Sequence, residues 1–218
     1  MSRTGLSGCG RENYEAMDWQ AQYESGVTPW DEGAPHPALL DFIAEFGPFR
    51  GRILVPGCGL GHDVRALSTA ENHVIGLDIA PAAVAKARTL PKTGLEEYIV
   101  ADLFNLSPDL RSSFDWIVEH TCFCAIAPST RPAYAAAIAG ALKPGGHLFG
   151  IFYLDPAVDR QPPYGVTISE LDQLFSSSFS LVRQWVPART FPGRESRELI
   201  RIFVSDVGVL KSSIEPPR

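Results

Sequence analysis

From Gly51 onward, short apolar runs alternate with longer amphipathic stretches. RILVPG (52–57), HVIGLD (73–78), EEYIVAD (96–102), FDWIVEH (114–120) and HLFGIFYLD (147–155) read as strands. Short, nearly continuous apolar runs bounded by turn residues suit strands buried on both faces. DVRALSTAE (63–71), PAAVAKART (81–89) and RPAYAAAIAGALKPGG (131–146) read as the intervening helices. The second opens with proline at a first helical position, and the third closes on a Pro-Gly-Gly turn. After PPYG (162–165) come a helix over 169–176 and strands near 179–186 and 198–205. This alternation predicts an α/β fold: seven strands, mostly parallel, with helices on both faces. Only the GRES turn region separates the last two strands, which makes the last one antiparallel. Upstream, ALLDFIAEFG (38–47) has helical spacing and ends on glycine, whereas TPWDEGAPHP predicts an extended N-terminal lid.

Length fits one domain of this kind with a short extension. We therefore expect an arm and helix over residues 1–50 covering a binding domain over 51–210. The first dozen or so residues and the tail SSIEPPR are polar and are expected to fray. A net charge of -6 disfavours nucleic acid and anionic membranes as partners. No apolar run approaches the ~18 residues of a membrane helix, and the N-terminus has no apolar leader. Cys9, Cys58, Cys122 and Cys124 lack disulfide or zinc spacing. These features point to a cytoplasmic protein, and a monomer or weak homodimer is expected.

The densest chemistry lies in VPGCGLGHD (55–63), where Gly57, Gly59 and Gly61 leave the first strand and enter a helix. A dinucleotide fingerprint, G-x-G-x-x-G, would need its third glycine at His62 or at Val64. The actual G-x-G-x-G suits a nucleoside-methionine ligand with no pyrophosphate, or simply a tight turn. Asp78 closes the second strand, where a carboxylate that takes ribose hydroxyls is expected; the alternative is a cap for the next helix. Asp102 ends the third strand, placed for an adenine amino group with Leu103 and Phe104 packing the ring; the alternative is a turn residue. Three such features at three successive strand ends reinforce one another.

These segments resemble the class I S-adenosylmethionine-dependent methyltransferases, and within them the thiopurine, thiol and halide group. The resemblance rests on WQAQYESGVTPWDEGAPHP, ILVPGCGLGHDV, VIGLDIAPAAVAKAR, FDWIVEHTCFCAI, LKPGG and PPYGVTISE, and implies a doubly wound, Rossmann-like sheet. It implies that Gly57, Gly59 and Gly61 wrap the methionine part of S-adenosylmethionine, with Asp63 near its amino group. Asp78 would hold the ribose, and Asp102, Leu103 and Phe104 the adenine. Glu119, His120 and Thr121 would lie beside the methyl group, Trp19 and Trp30 over the cofactor, and Tyr164 at the acceptor. Tyr23 stands where the group commonly has a tryptophan, and the chain after Phe175 matches less clearly.

S-adenosylmethionine is a sulfonium cation, which aromatic faces attract. Trp19, Tyr23 and Trp30 are read as such a cover, or else as a staple pinning the arm. Transfer to a soft nucleophile (thiol, hydrosulfide or halide) annihilates charge and needs mainly alignment and a dry pocket. A group favouring thiolate would help; Tyr164, Tyr153 and His120 are the candidates. His120, Cys122 and Cys124 alternate on a strand exit, which suits buried thiols better than a metal. Of Arg160, Arg189, Arg194 and Arg197, one is a candidate to attract an anionic acceptor. Methylation of oxygen, nitrogen or a metalloid is the alternative chemistry; a non-catalytic cofactor-binding module is the alternative class.

Overall fold

The computed structural model describes residues 17–154, 161–206 and 208. The two termini and Arg160, named above, lie outside them. The elements are α1 (Trp19–Ser25), α2 (Pro37–Phe46), β1 (Arg52–Pro56), α3 (His62–Leu67), β2 (His73–Asp78), α4 (Pro81–Thr89), β3 (Leu95–Val100), β4 (Phe114–His120), α5 (Arg131–Ala141), β5 (Leu142–Tyr153), α6 (Ile168–Phe175), β6 (Phe179–Trp185) and β7 (Glu198–Ser205).

The strand order is β3-β2-β1-β4-β5-β7-β6. β1 pairs in parallel with both β2 and β4, so the chain reverses its direction across the sheet there. A ligand crevice opens at the carboxyl ends of the strands beside such a reversal. β7 runs antiparallel to both β5 and β6, as its short connection to β6 predicts. One core packs α5 and α6 on one face, with Phe114, Phe123, Phe152 and Phe175 buried in it. The other packs α2, α3 and α4, around Leu39, Ile53, Val64 and Phe149. Removing a buried phenylalanine of this kind costs about 3–5 kcal/mol.

Three departures from the sequence reading have local causes. Helix α3 stops at Leu67 rather than continuing to 71. The Asn72 amide donates to the Leu67 carbonyl and its oxygen accepts from the Thr69 N–H, so a side chain closes the helix. Helix α5 stops at Ala141, and KPGG belongs to β5 with a register irregularity opposite β4. Pro144 lacks an N–H, and Gly145 has φ +73°, which bends the strand there. The segment before TPWD is a helix, α1, capped by Asp18, which accepts from the Ala21 N–H, and by Gly26 in the left-handed region. Among the described residues no helix is long and apolar enough to cross a membrane.

Candidate active site

A cavity of about 700 Å³ opens at the carboxyl ends of β1, β2 and β4, a size suited to a small organic ligand. Its floor is the turn after β1. Gly57 and Gly59 line it with φ of +60° and +51°. A side chain at Gly59 would meet the Tyr23 hydroxyl at 2.8 Å, so this glycine lets the arm close over the turn. Gly61 does not line the cavity. It starts α3 at φ +74°, and a Cβ there would run into the Tyr98 ring. Its contacts seat the turn on β3, outside the cavity wall.

Asp78 ties the turn to the next strand: Oδ2 accepts from Gly59 N–H at 2.9 Å and Oδ1 from Ala80 N–H at 2.9 Å. The carboxylate lines the cavity. Burial raises its pKa, partly offset by those N–H groups. Asp102 accepts from Phe104 N–H at 2.9 Å and so also holds its own turn. Leu103 is buried and Phe104 half-exposed, and both are in the cavity wall with Asp102. The turn and cap readings of these two acids are thus realised without removing either from the site.

The arm forms the roof. Trp19 and Trp30 meet edge to face at 5.2 Å, and the Trp30 indole N–H donates to the Tyr23 hydroxyl at 3.1 Å. Ala82 N–H donates to Gln20 at 2.9 Å, and the Lys86 ammonium donates to the Tyr23 carbonyl. Asp31 lies 3.1 Å from His62 Nε2, near enough for an ion pair. The arm therefore rests on α3 and α4 by polar contacts as well as rings.

The far end is built from β4 and from the β6–β7 connection. His120 and Thr121 line the cavity where β4 ends, and Thr121 has φ +65°, an unusual strain for a β-branched residue. His120 Nδ1 lies 2.7 Å from Asp63 Oδ2, and Asp63 Oδ1 accepts from His36 N–H at 2.8 Å. Burial works to raise the Asp63 pKa, but His120 and the His36 N–H outweigh it and hold it below the usual value. His36 is fully buried and pairs with Glu198 at 2.9 Å. Phe191 packs against both histidine rings, at 5.1 and 6.1 Å. Cys122 and Cys124 complete the wall; burial pushes Cys122 far up and Cys124 up to about 12, so both stay thiols. Arg194 is the one lysine or arginine among the described lining residues.

Three expected site residues lie elsewhere. Glu119 is buried behind the wall, accepting from Phe123 N–H at 2.7 Å and from the Tyr134 hydroxyl; burial raises its pKa to about 7. Tyr164 is buried and does not line the cavity, its N–H donating to the Cys124 carbonyl at 2.7 Å. Tyr153 does not line the cavity but lies against it, its hydroxyl accepting from Arg197 at 3.2 Å and its ring stacking at 5.3 Å on the guanidinium of Arg194 in the wall. Conversely, Phe191 and His62 were missed. His62 sits beside Asp63 in GHD, a signal available in the sequence, whereas nothing near Phe191 marked it.

Comparison with known proteins gives a consistent picture. Residues 14–198 match the family model described as thiopurine S-methyltransferase. Probable thiol methyltransferase 2 of Arabidopsis thaliana is 37% identical over 160 residues, covering 72% of this chain and 70% of that protein. Thiocyanate methyltransferase 1 of the same plant is 36% identical over 191 residues, covering 84% and 82%. Among solved structures, the 1,6-didemethyltoxoflavin-N1-methyltransferase of Burkholderia thailandensis, solved with S-adenosylhomocysteine, superposes with a TM-score of 0.66. It is 21% identical, covering 86% of this chain and 85% of that one.

Proposed function

Because the chain belongs to the thiopurine S-methyltransferase family, it is an S-adenosylmethionine-dependent methyltransferase acting on a small soft nucleophile, and we propose where on this fold donor and acceptor meet. The observation that carries this reading is the uneven charge of one cavity. Its β1–β3 end carries Asp78 and Asp102 beside an open glycine turn, whereas its far end carries Arg194 and an Asp63 whose oxygens are taken up by His120 and the His36 N–H.

S-adenosylmethionine fits the acidic end. The turn at Gly57 and Gly59 offers backbone approach, Asp78 accepts from ribose hydroxyls and Asp102 from the adenine amino group, with Leu103 and Phe104 against the ring. Trp19 and Trp30 lie over the same end and favour a cation. When bound there, the donor supplies an electrophilic methyl group. Asp63, in the wall but tied to His120 and His36, holds the far end together and stands less free for the amino group than the resemblance implies.

The acceptor occupies the end formed by Thr121, Cys124, Phe191 and Arg194. Arg194 favours an anionic nucleophile, and the apolar wall with its unionised thiols excludes water. The relatives named for thiols and thiocyanate support a thiol, hydrosulfide or halide over oxygen, nitrogen or metalloid acceptors. Of the expected donor-binding domain over 51–210 and cover over 1–50, the described residues 51–154 and 161–206 serve the first role and 17–50 the second. Net charge and cysteine usage support a cytoplasmic protein that does not engage nucleic acid or membrane; a monomer or weak homodimer is expected.

The test is S-adenosylhomocysteine formation by the purified chain with an alkyl thiol, hydrosulfide, iodide and a phenol. Turnover on the first three and not on the phenol is expected. Turnover on the phenol alone would overturn the acceptor reading.

A further inference from the structure

His120 is placed by three contacts that leave one atom open. Asp63 is held ionised and accepts from the His36 N–H at one oxygen, so its other oxygen accepts a hydrogen bond from His120 Nδ1–H. That fixes the tautomer: Nδ1 carries the hydrogen and Nε2 carries the lone pair. Nε2 is buried and has no hydrogen-bond partner among the described residues. The ring that bears it is part of the cavity wall at the acceptor end. A buried acceptor without a protein partner needs a donor, from a water or from a ligand group that reaches it out of the adjoining cavity.

The surrounding charges suit a base. Asp63, from α3, is held ionised and faces Nδ1. His36, before α2, packs edge-on at 4.6 Å. Its own Nδ1 accepts from the Ala38 N–H, so its proton sits on Nε2 and goes to Glu198. Burial lowers the His36 pKa, so it adds no competing positive charge. Glu198 of β7 and Glu119 of β4 stand behind the ring, with Arg194 beyond Glu198 at 3.4 Å.

Deepening the acceptor reading above, on which it rests, we infer that His120 Nε2 is the base that takes the proton of a neutral thiol, extending the acceptor range from anions to protonated alkyl thiols. The S–H bond breaks and an N–H bond forms at Nε2. The electron pair left on sulfur makes the new S–CH3 bond, and the pair of the broken sulfonium–methyl bond stays on the departing S-adenosylhomocysteine sulfur. The imidazolium, stabilised by Asp63, then loses its proton to solvent. Near neutral pH a cysteine-like thiol is only a few per cent ionised and a simple alkyl thiol less still, so such a base matters for thiols and not for halides, which carry no proton.

The test compares His120→Gln with wild type on propanethiol and on iodide at pH 6.5. The thiol-to-iodide ratio of kcat/KM is expected to fall about 100-fold or more. In the variant, thiol turnover should rise with pH only as the thiol itself ionises. An equal loss on both acceptors would make His120 structural, and an unchanged ratio would remove it from the reaction; either overturns the inference. Absence of S-adenosylhomocysteine from wild type with both acceptors would instead sink the acceptor reading, and this inference with it. A readout independent of turnover is the 15N spectrum of histidine-labelled protein, in which His120 should show a protonated Nδ1 and a bare Nε2. If His120→Gln does not fold, Asp63→Asn should lower the same ratio; an unchanged ratio there also overturns the inference.

Discussion

The two ends of the cavity are built in opposite ways. The donor end is local: Gly57, Gly59, Asp78 and Asp102 come from the exits of three successive strands, and each acid also ties its own turn. The acceptor end is distant: His120 reaches Asp63 across 57 residues, and His36 reaches Glu198 across 162. The floor of the donor end survives wherever the strands and turns form, with only its aromatic roof depending on the arm. A distant one exists only when the arm, β4 and the β6–β7 connection are all docked. Donor binding should therefore tolerate damage that abolishes turnover.

The largest effect should come from breaking the turn itself. Gly61→Val places a side chain in the left-handed region and against the Tyr98 ring. Strain of about 1–2 kcal/mol and overpacking of about 1–3 kcal/mol should together lower stability by about 3 kcal/mol. A denaturant midpoint indistinguishable from wild type would show that the turn is not seated on β3. Next is Asp78→Ala, which removes the charged partner of the donor site. Donor affinity by calorimetry should fall by about 1.5–3 kcal/mol, as for a hydrogen bond to a charged group, in a protein that still folds. Unchanged affinity would remove Asp78 from the site.

The same contrast explains what the sequence discloses. Strands β2 and β4 and helix α4 have the bounds that their apolar runs predict, because each run meets a turn or proline at both ends. The donor end is legible for the same reason: glycines and acids at strand exits are a contiguous pattern. Helix α1 is less legible, because the prolines of TPWDEGAPHP dominate the stretch, although Asp18 and Gly26 mark its ends. The acceptor end is illegible in detail. PPYG draws attention to Tyr164, yet its N–H bond to the Cys124 carbonyl buries the side chain away from the cavity. Arg194 stands among several arginines that composition cannot rank, and Phe191 has no motif at all.

Behind the wall, Glu119 sharpens the comparison by separating fold from site. Its pKa of about 7 lies above the ordinary 4.5, because burial disfavours the charge. The folded state therefore holds this proton more tightly than the unfolded chain, and its contribution falls as pH rises from about 4.5 to about 7. Glu119→Gln should remove that loss, stabilising the protein at pH 8 by on the order of 1–3 kcal/mol relative to its effect at pH 4.5. A pH-independent difference would mean that burial does not shift the Glu119 pKa away from its unfolded value. Smaller again is Trp30→Ala, which removes the Trp19 contact and the bond to Tyr23. Donor affinity should drop by about 0.5–2 kcal/mol, the range of a cation–aromatic contact, with melting little changed. A lowered melting temperature, with the donor affinity of the folded variant unchanged, would make these rings a staple.

The smallest expected effect tests the acceptor end most directly. Arg194 is partly exposed and sits 3.4 Å from Glu198, which His36 also holds at 2.9 Å. Arg194→Gln therefore removes a charge from the cavity wall without leaving Glu198 unpartnered. A partly exposed charge acting over a few ångströms contributes about 0.2–1 kcal/mol, so the KM for iodide should rise about two- to fivefold. Added salt screens wild type toward the variant, so the two should converge as ionic strength increases. The donor, held by acids at the opposite end, should bind with little change. If donor affinity falls while the iodide KM does not move, the charge of Arg194 serves the donor, and the separation of the cavity into two ends would have to be redrawn.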